Sequence, residues 1–204
     1  MKWFLKTSSI IVITFLLGCN SAVSKKYINR ANEAYDFCKS NGYNTEYCFL
    51  VDFSQNSQIR RFYVYDFEKK KVVYRCYCAH GNDGTSKSLQ ANKDSFSNKI
   101  GSHKSSLGKY RVGKRRTINS VDGMFDVSML NVPCYEVHGL EKTNSNAHKR
   151  GILIHPMPGM DSNWLVTLPG VSLGCFSIGR KAFDKIASYI DRSSKPVLLW
   201  AFYE

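Results

Sequence analysis

The sequence is short of acid. Its 204 residues carry 16 Asp and Glu against 29 Lys and Arg, a formal charge of +13. That balance excludes an acidic surface and suits an anionic partner. An apolar run long enough to cross a bilayer is also missing. "SSIIVITFLLG" from Ser8 to Gly18 gives some ten apolar residues, where a permanent membrane helix needs about 20. No internal repeat is present, which excludes a solenoid, and no linker divides the chain into two folded units.

What the N-terminus does hold is a pattern. Lys2 and Lys6 precede the short apolar run, and a small residue follows it. Charge, apolar stretch and small residue read as an export signal over residues 1–18. Export argues against nucleic acid as the anionic partner and leaves wall polymers and lipid headgroups. Loss of residues 1–18 removes two lysines and no acid, which lowers the +13 to +11.

The rest of the chain is organised around short strands. Residues 26–40 read as a helix with Ile28, Ala31, Ala34 or Tyr35, and Cys38 on one stripe, stopped by Asn41-Gly42. β-Branched and aromatic runs follow at 47–54, 60–67 and 71–80. A polar loop covers 80–101. Further short strands are predicted at 108–113, 132–139 and 151–155. A second helix spans about Arg180 to Arg192 with Phe183, Ile186, Ala187 and Ile190 as its stripe, and "VLLWAFY" makes a last strand. Many short strands with one helix near each end predict a mainly β domain.

Seven cysteines occur, and an exported compartment permits disulfides. Cys38 and Cys48 flank a turn and could be joined; the pairing of Cys38, Cys48, Cys76, Cys78 and Cys134 does not follow from sequence. Strand alternation puts Cys76, Cys78 and His80 on one face, but no fourth zinc-type ligand is near.

The chemistry-bearing stretch is "GVSLGCFSIG", residues 170–179, with "GILIHP" twenty positions earlier. Cys175 is a candidate nucleophile and His155 its candidate base. A cysteine in this role works as a thiolate, so a partly exposed thiol of depressed pKa is expected. Gly174 lets a substrate approach the main chain, and the amides near Gly174 and Cys175 can face an oxyanion. The competing reading is a buried thiol in a glycine-rich turn. His138 is a second candidate base, although spacing favours His155. His80, His103 and His148 lie in polar stretches and read as solvated.

His155, sixteen residues, then Ser172-Leu173-Gly174-Cys175-Phe176 resembles the active-site signature of the L,D-transpeptidase catalytic domain, the YkuD-like family. "SSLGKYRVG" (105–113) is similar to that family's upstream strand beside the substrate cleft. "YEVHGLEKTNSNAHKRGILIHP" (135–156) resembles a branch in which His138-Gly139 and Lys149-Arg150 precede the catalytic histidine. Two departures stand out: Leu173 where the family often has His, and Ser177 where many members have Arg or Asn. Arg180 could supply that charge one helical turn on.

The resemblance implies a β-sandwich or barrel-like fold over 27–204 and a reaction on peptidoglycan stem peptides. Cys175 would attack the carbonyl of a diamino acid, releasing D-Ala and leaving a thioester. His155 would take and return the proton. Ser172 would orient the loop or the imidazole, and His138, Gly139 and Arg180 would contact substrate. It implies no metal and no organic cofactor. An amine acceptor gives transpeptidation, and water gives L,D-carboxypeptidase activity; a non-catalytic peptidoglycan-binding lipoprotein is the reading outside enzymes. "LLGC" (16–19) resembles a lipoprotein signal, which implies lipid on Cys19, a tether over 19–26 and a membrane-anchored, periplasm-facing place in the cell envelope. Acceptor, oligomeric state and choice of membrane stay open.

Overall fold

The computed structural model describes residues 26–81, 91–118, 131–161 and 172–204. The segment 1–25, with Cys19 and the stretch read as an export signal, lies outside the described residues.

Eight strands form one sheet: β1 (Tyr47–Asp52), β2 (Phe62–Asp66), β3 (Lys71–Cys76), β4 (Gly108–Thr117), β5 (Pro133–Gly139), β6 (Leu153–Pro156), β7 (Phe176–Ile178) and β8 (Leu198–Phe202). Their spatial order is β3-β2-β1-β8-β4-β5-β6-β7. Pairing is antiparallel except for β1 with β8 and β6 with β7. Just beyond β3, Ala79 bridges Ser177 of β7. The two edges of the sheet therefore meet, and the sheet is nearly closed into a barrel, which leaves little unpaired edge. Helix α1 covers residues 26–41 and α2 covers Arg180–Asp191. The expected mainly β domain with a helix near each end is what forms.

Period-2 alternation sorts the strands into an inner and an outer face. On β1, Tyr47, Phe49 and Val51 point into the main core, while Cys48 and Leu50 point outward. The inner core gathers Phe62, Val64, Tyr110, Val112, Tyr135, Val137, Ile154 and Phe176, and α2 closes it with Ala182, Phe183, Ile186 and Ala187. Helix α1 seals the outer face over β1, β2 and β8. It packs Tyr27, Ala31, Ala34 and Cys38 on Cys48, Leu50, Tyr63, Tyr65, Leu198, Trp200 and Phe202. Small Ala31 and Ala34 let the helix lie close to the aromatic strand residues. The buried stripe runs through Tyr27 rather than Ile28, and Ile28 and Tyr35 are exposed. Because α1 covers one side and the core the other, every residue of β1 is buried.

The six described cysteines are free thiols. Cys38 and Cys48 are both fully buried in the α1 cluster, where they pack as apolar groups. His80, expected in solvent, is buried instead. Arg61, itself fully buried, reaches His80 Nδ1 through Nη2 at 2.8 Å and donates to the carbonyls of Cys78 and Gln55, both at 2.9 Å. Burial and the adjacent guanidinium push the imidazole down to about 4, so it stays neutral and accepts that hydrogen bond.

Candidate active site

The outer face at the other end of the sheet is built differently. Antiparallel pairing sets Tyr135 opposite Ile154 and Glu136 opposite Leu153. Parallel pairing sets Ile154 beside Phe176 and His155 beside Ser177. Ile154, Tyr135 and Phe176 face the core, so their neighbours face outward. Cys134, Glu136 and His138 on β5, Leu153 and His155 on β6, and Cys175 and Ser177 at β7 therefore share one face. Cys175 and His155 lie on adjacent strands of that face, one pleat apart.

A short glycine turn aims Cys175. Gly174 holds φ 114°, a conformation side-chain-bearing residues rarely adopt. A Cβ there would lie 2.6 Å from Ile152 Cδ1 and 2.9 Å from the Lys104 carbonyl oxygen. Ser172 ties the turn together: its Oγ donates to the Cys175 carbonyl at 2.7 Å and accepts from the Gly174 amide at 3.2 Å. Both of these Ser172 contacts lie within the turn. Ser105 Oγ donates to the Gly174 carbonyl at 3.1 Å, and accepts the Gly81 amide at 2.9 Å. Gly81 has no room for a side chain, since a Cβ would lie 2.2 Å from Gly174 N.

Arg150 fixes the wall beside this turn. Its Nη1 donates to Ser97 O and Ser106 Oγ, both at 2.7 Å, and its Nη2 to Ser102 Oγ at 3.1 Å and to the Lys104 carbonyl. One planar fork thereby holds the 97–106 segment against Gly174.

The imidazole of His155 has a defined tautomer. Nδ1 lies 3.0 Å from the Pro156 carbonyl oxygen, which only accepts, so Nδ1 carries the hydrogen. Nε2 is then the basic nitrogen, and Ser177 Oγ donates to it at 3.0 Å. Burial holds the His155 pKa below the ordinary histidine value. Ser177 is thus the imidazole's partner, a residue that sequence reading registered only as a departure. The signal was available: residue 177 follows Cys175 by two, and a strand puts both on one face.

Cys175 is not the exposed thiolate expected. It is 2% exposed, and burial pushes the thiol up to about 11, against the smaller lowering effects of a Leu153 backbone hydrogen bond and the Arg150 charge. Its S–H points to the Gly151 carbonyl at 3.6 Å. Neutral thiol and neutral imidazole describe the resting site. Cys134 joins Cys175, Leu153 and Ile118 in a small apolar cluster.

The remaining predicted residues lie at several places. His138, on β5, stacks on His148 with ring centroids 4.4 Å apart, and strand β6 separates it from β7. Gly139 permits close packing: a Cβ would lie 1.9 Å from the Asn144 carbonyl oxygen. Arg180 opens α2, is exposed, and pairs with Asp184 at 3.4 Å.

The chain matches the YkuD_2 L,D-transpeptidase catalytic domain over residues 19–200. Among curated proteins no match is found. Solved structures with a similar course include Bd1075 of Bdellovibrio bacteriovorus, at 18% identity and TM-score 0.44, covering 78% of this chain and 49% of that one. The helical cell shape determining protein Pgp2 of Campylobacter jejuni aligns at 15% identity and TM-score 0.49, covering 78% and 48%. An L,D-transpeptidase fragment (residues 123–326) of Xylanimonas cellulosilytica aligns at 12% and 0.41, covering 82% and 68%. The chain thus spans about half the length of the first two. The sequence match covers nearly the whole described domain and includes the Ser172–Cys175 turn and His155: the chain belongs to the L,D-transpeptidase catalytic domain family.

Proposed function

We propose that this protein is a cysteine-dependent L,D-transpeptidase acting on peptidoglycan stem peptides. The observation that carries the reading is the shared outer face of β6 and β7, on which a glycine-aimed Cys175 and His155 stand one pleat apart along neighbouring strands. The Cys175 thiol attacks the carbonyl of the diamino acid at the third stem position. Its proton passes to His155 Nε2, which first gives up the Ser177 hydroxyl. The C–N bond to terminal D-Ala breaks, His155 returns the proton to the leaving amine, and a thioester remains. A neighbouring amine then attacks the thioester and regenerates the thiol.

A neutral pair suits this order, because the imidazole is free to accept a proton at neutral pH and the thiol gives one up only as the new bond forms. The amides of the 174–175 turn are the donors for the oxyanion. The Gly174 amide is engaged by Ser172 at rest, so substrate binding includes release of that contact. The basic surface, with Arg111, Arg115 and Arg116 along β4, suits an anionic wall polymer.

Intact mass after incubation with purified tetrapeptide muropeptides tests the reading. A thioester adduct on Cys175 and a cross-linked dimer are expected. Tripeptide without dimer assigns water as the acceptor and an L,D-carboxypeptidase. No adduct and no product, with peptidoglycan retained, assigns the wall-binding lipoprotein. We propose further that Cys19 carries lipid and anchors the protein in the cell envelope. Mass spectrometry of the mature N-terminal peptide should find a diacylglyceryl group there; a free thiol or cleavage elsewhere overturns the anchor.

A further inference from the structure

Among the described residues, one cluster on the outer face besides the Cys175–His155 pair has the composition of a site. Glu136 and His138 are two residues apart on β5 and point the same way, and His148 comes to them from the 140–151 loop. Glu136 Oε2 lies 3.6 Å from His138 Nε2 and 3.8 Å from His148 Nε2. The three donor atoms lie within 4.8 Å of one another. The two Glu136 spacings are too wide for good hydrogen bonds. They are close to the roughly 3.4 Å between ligand atoms around a tetrahedral zinc ion, as its bond lengths of about 2.1 Å require.

Two features prepare the cluster. Arg116 Nε approaches the other carboxylate oxygen, Oε1, at 3.4 Å, which orients the carboxylate and leaves Oε2 toward the imidazoles. Gly113 leaves room beside the donor edge of the His138 ring: a Cβ there would lie 2.8 Å from Nε2. We propose that Glu136, His138 and His148 form a binding site for a divalent transition-metal ion of the zinc type. The donor set selects among cations. Two imidazole nitrogens favour zinc, nickel or copper over magnesium or calcium, which prefer oxygen. The cationic surroundings, with Arg111 opposite His138 and Arg116 beside Glu136, oppose any ion held by charge alone.

Binding requires one movement. The two rings are stacked at an interplanar angle of 14°, so their lone pairs run parallel rather than converging. His138 is held in the sheet, whereas the His148 side chain is 56% exposed, so His148 turns and the stack opens. The ion would then tie β5 to the loop that carries Arg150 and Gly151. That loop supplies both the clamp on the 97–106 segment and the carbonyl facing the Cys175 thiol.

Zinc alone, titrated into the full chain against a chromophoric chelator, tests the site. One ion per chain is expected, with affinity falling at least about tenfold in His148→Ala and in Glu136→Gln. His148 is on the surface, so its replacement leaves the fold unchanged by circular dichroism. Cobalt(II) in place of zinc should give ligand-field bands without thiolate charge transfer. Cys175→Ala should bind zinc as the wild type does, which separates this site from the transpeptidase reading. Equal affinity in wild type and His148→Ala, or a thiolate charge-transfer band, overturns the proposal.

Discussion

The outer face of the sheet is apolar over β1, β2 and β8 and mixed over β5, β6 and β7, although the same alternation produces both. At the first end the outward residues are Cys48, Leu50, Tyr63, Tyr65, Trp200 and Phe202, and α1 seals them. At the second they are Cys134, Glu136, His138, Leu153, His155, Cys175 and Ser177. Between the two ends run the cations of β4, with Lys109 lying 3.9 Å over the Trp200 ring. Identical backbone geometry therefore makes an apolar wall at one end and gathers cysteine, histidine and serine side chains at the other. The outward side chains alone decide which.

The sharpest way to break this contrast is to remove the sulfur. Cys175→Ala should abolish turnover of tetrapeptide muropeptides while leaving the fold intact, since thiol to methyl removes little volume. Product yield equal to wild type would return Cys175 to the role of a buried thiol. His155→Ala should lower kcat/KM about 10²–10⁴-fold, far more than His138→Ala; steady-state kinetics on the two variants decides between them. At the sealed end the effect should be on stability alone. Leu50→Ala, beneath α1, should cost about 2–5 kcal/mol in urea unfolding, with kcat/KM unchanged in the folded fraction.

The test that sharpens the comparison most is the pH dependence of the resting thiol. With the Cys175 thiol pushed up to about 11, its thiolate fraction rises about tenfold per pH unit below that value. Iodoacetamide labelling, read at Cys175 by peptide mass, should climb steadily between about pH 7 and pH 10. Labelling that levels off near neutrality would mean a thiolate–imidazolium pair. Because burial lowers the His155 pKa, the base stays neutral to below the ordinary histidine value, and kcat/KM should lose its acid limb only under about pH 6.5.

Much of this was legible in sequence. Seven of the eight strands and both helices fall where alternation, helical spacing and stop signals put them. The missing strand is β7, three residues between glycine turns. Its existence depends on parallel pairing with β6, a partner about twenty residues away, and no local period reveals such a contact. The Cys175 and His155 candidates came from the resemblance of His155 and the Ser172–Phe176 stretch to the L,D-transpeptidase signature. Ser177, Ser105 and Arg150 did not, because their roles arise from packing: Arg150 acts on a segment some fifty residues earlier. The state of the thiol was also out of reach, since exposure belongs to the folded surface.

The bridge between Ala79 and Ser177 has one more consequence. The Ala79 amide donates to the Ser177 carbonyl at 2.9 Å, while the Ser177 hydroxyl serves His155. A single residue is therefore the zip fastener of the barrel and the companion of the His155 imidazole proposed as the base. Whatever unfastens the barrel there should also disarm the proposed reaction. On slow warming, hydrogen–deuterium exchange at Ala79 should accelerate together with the loss of activity, ahead of exchange in β1, where both faces are covered.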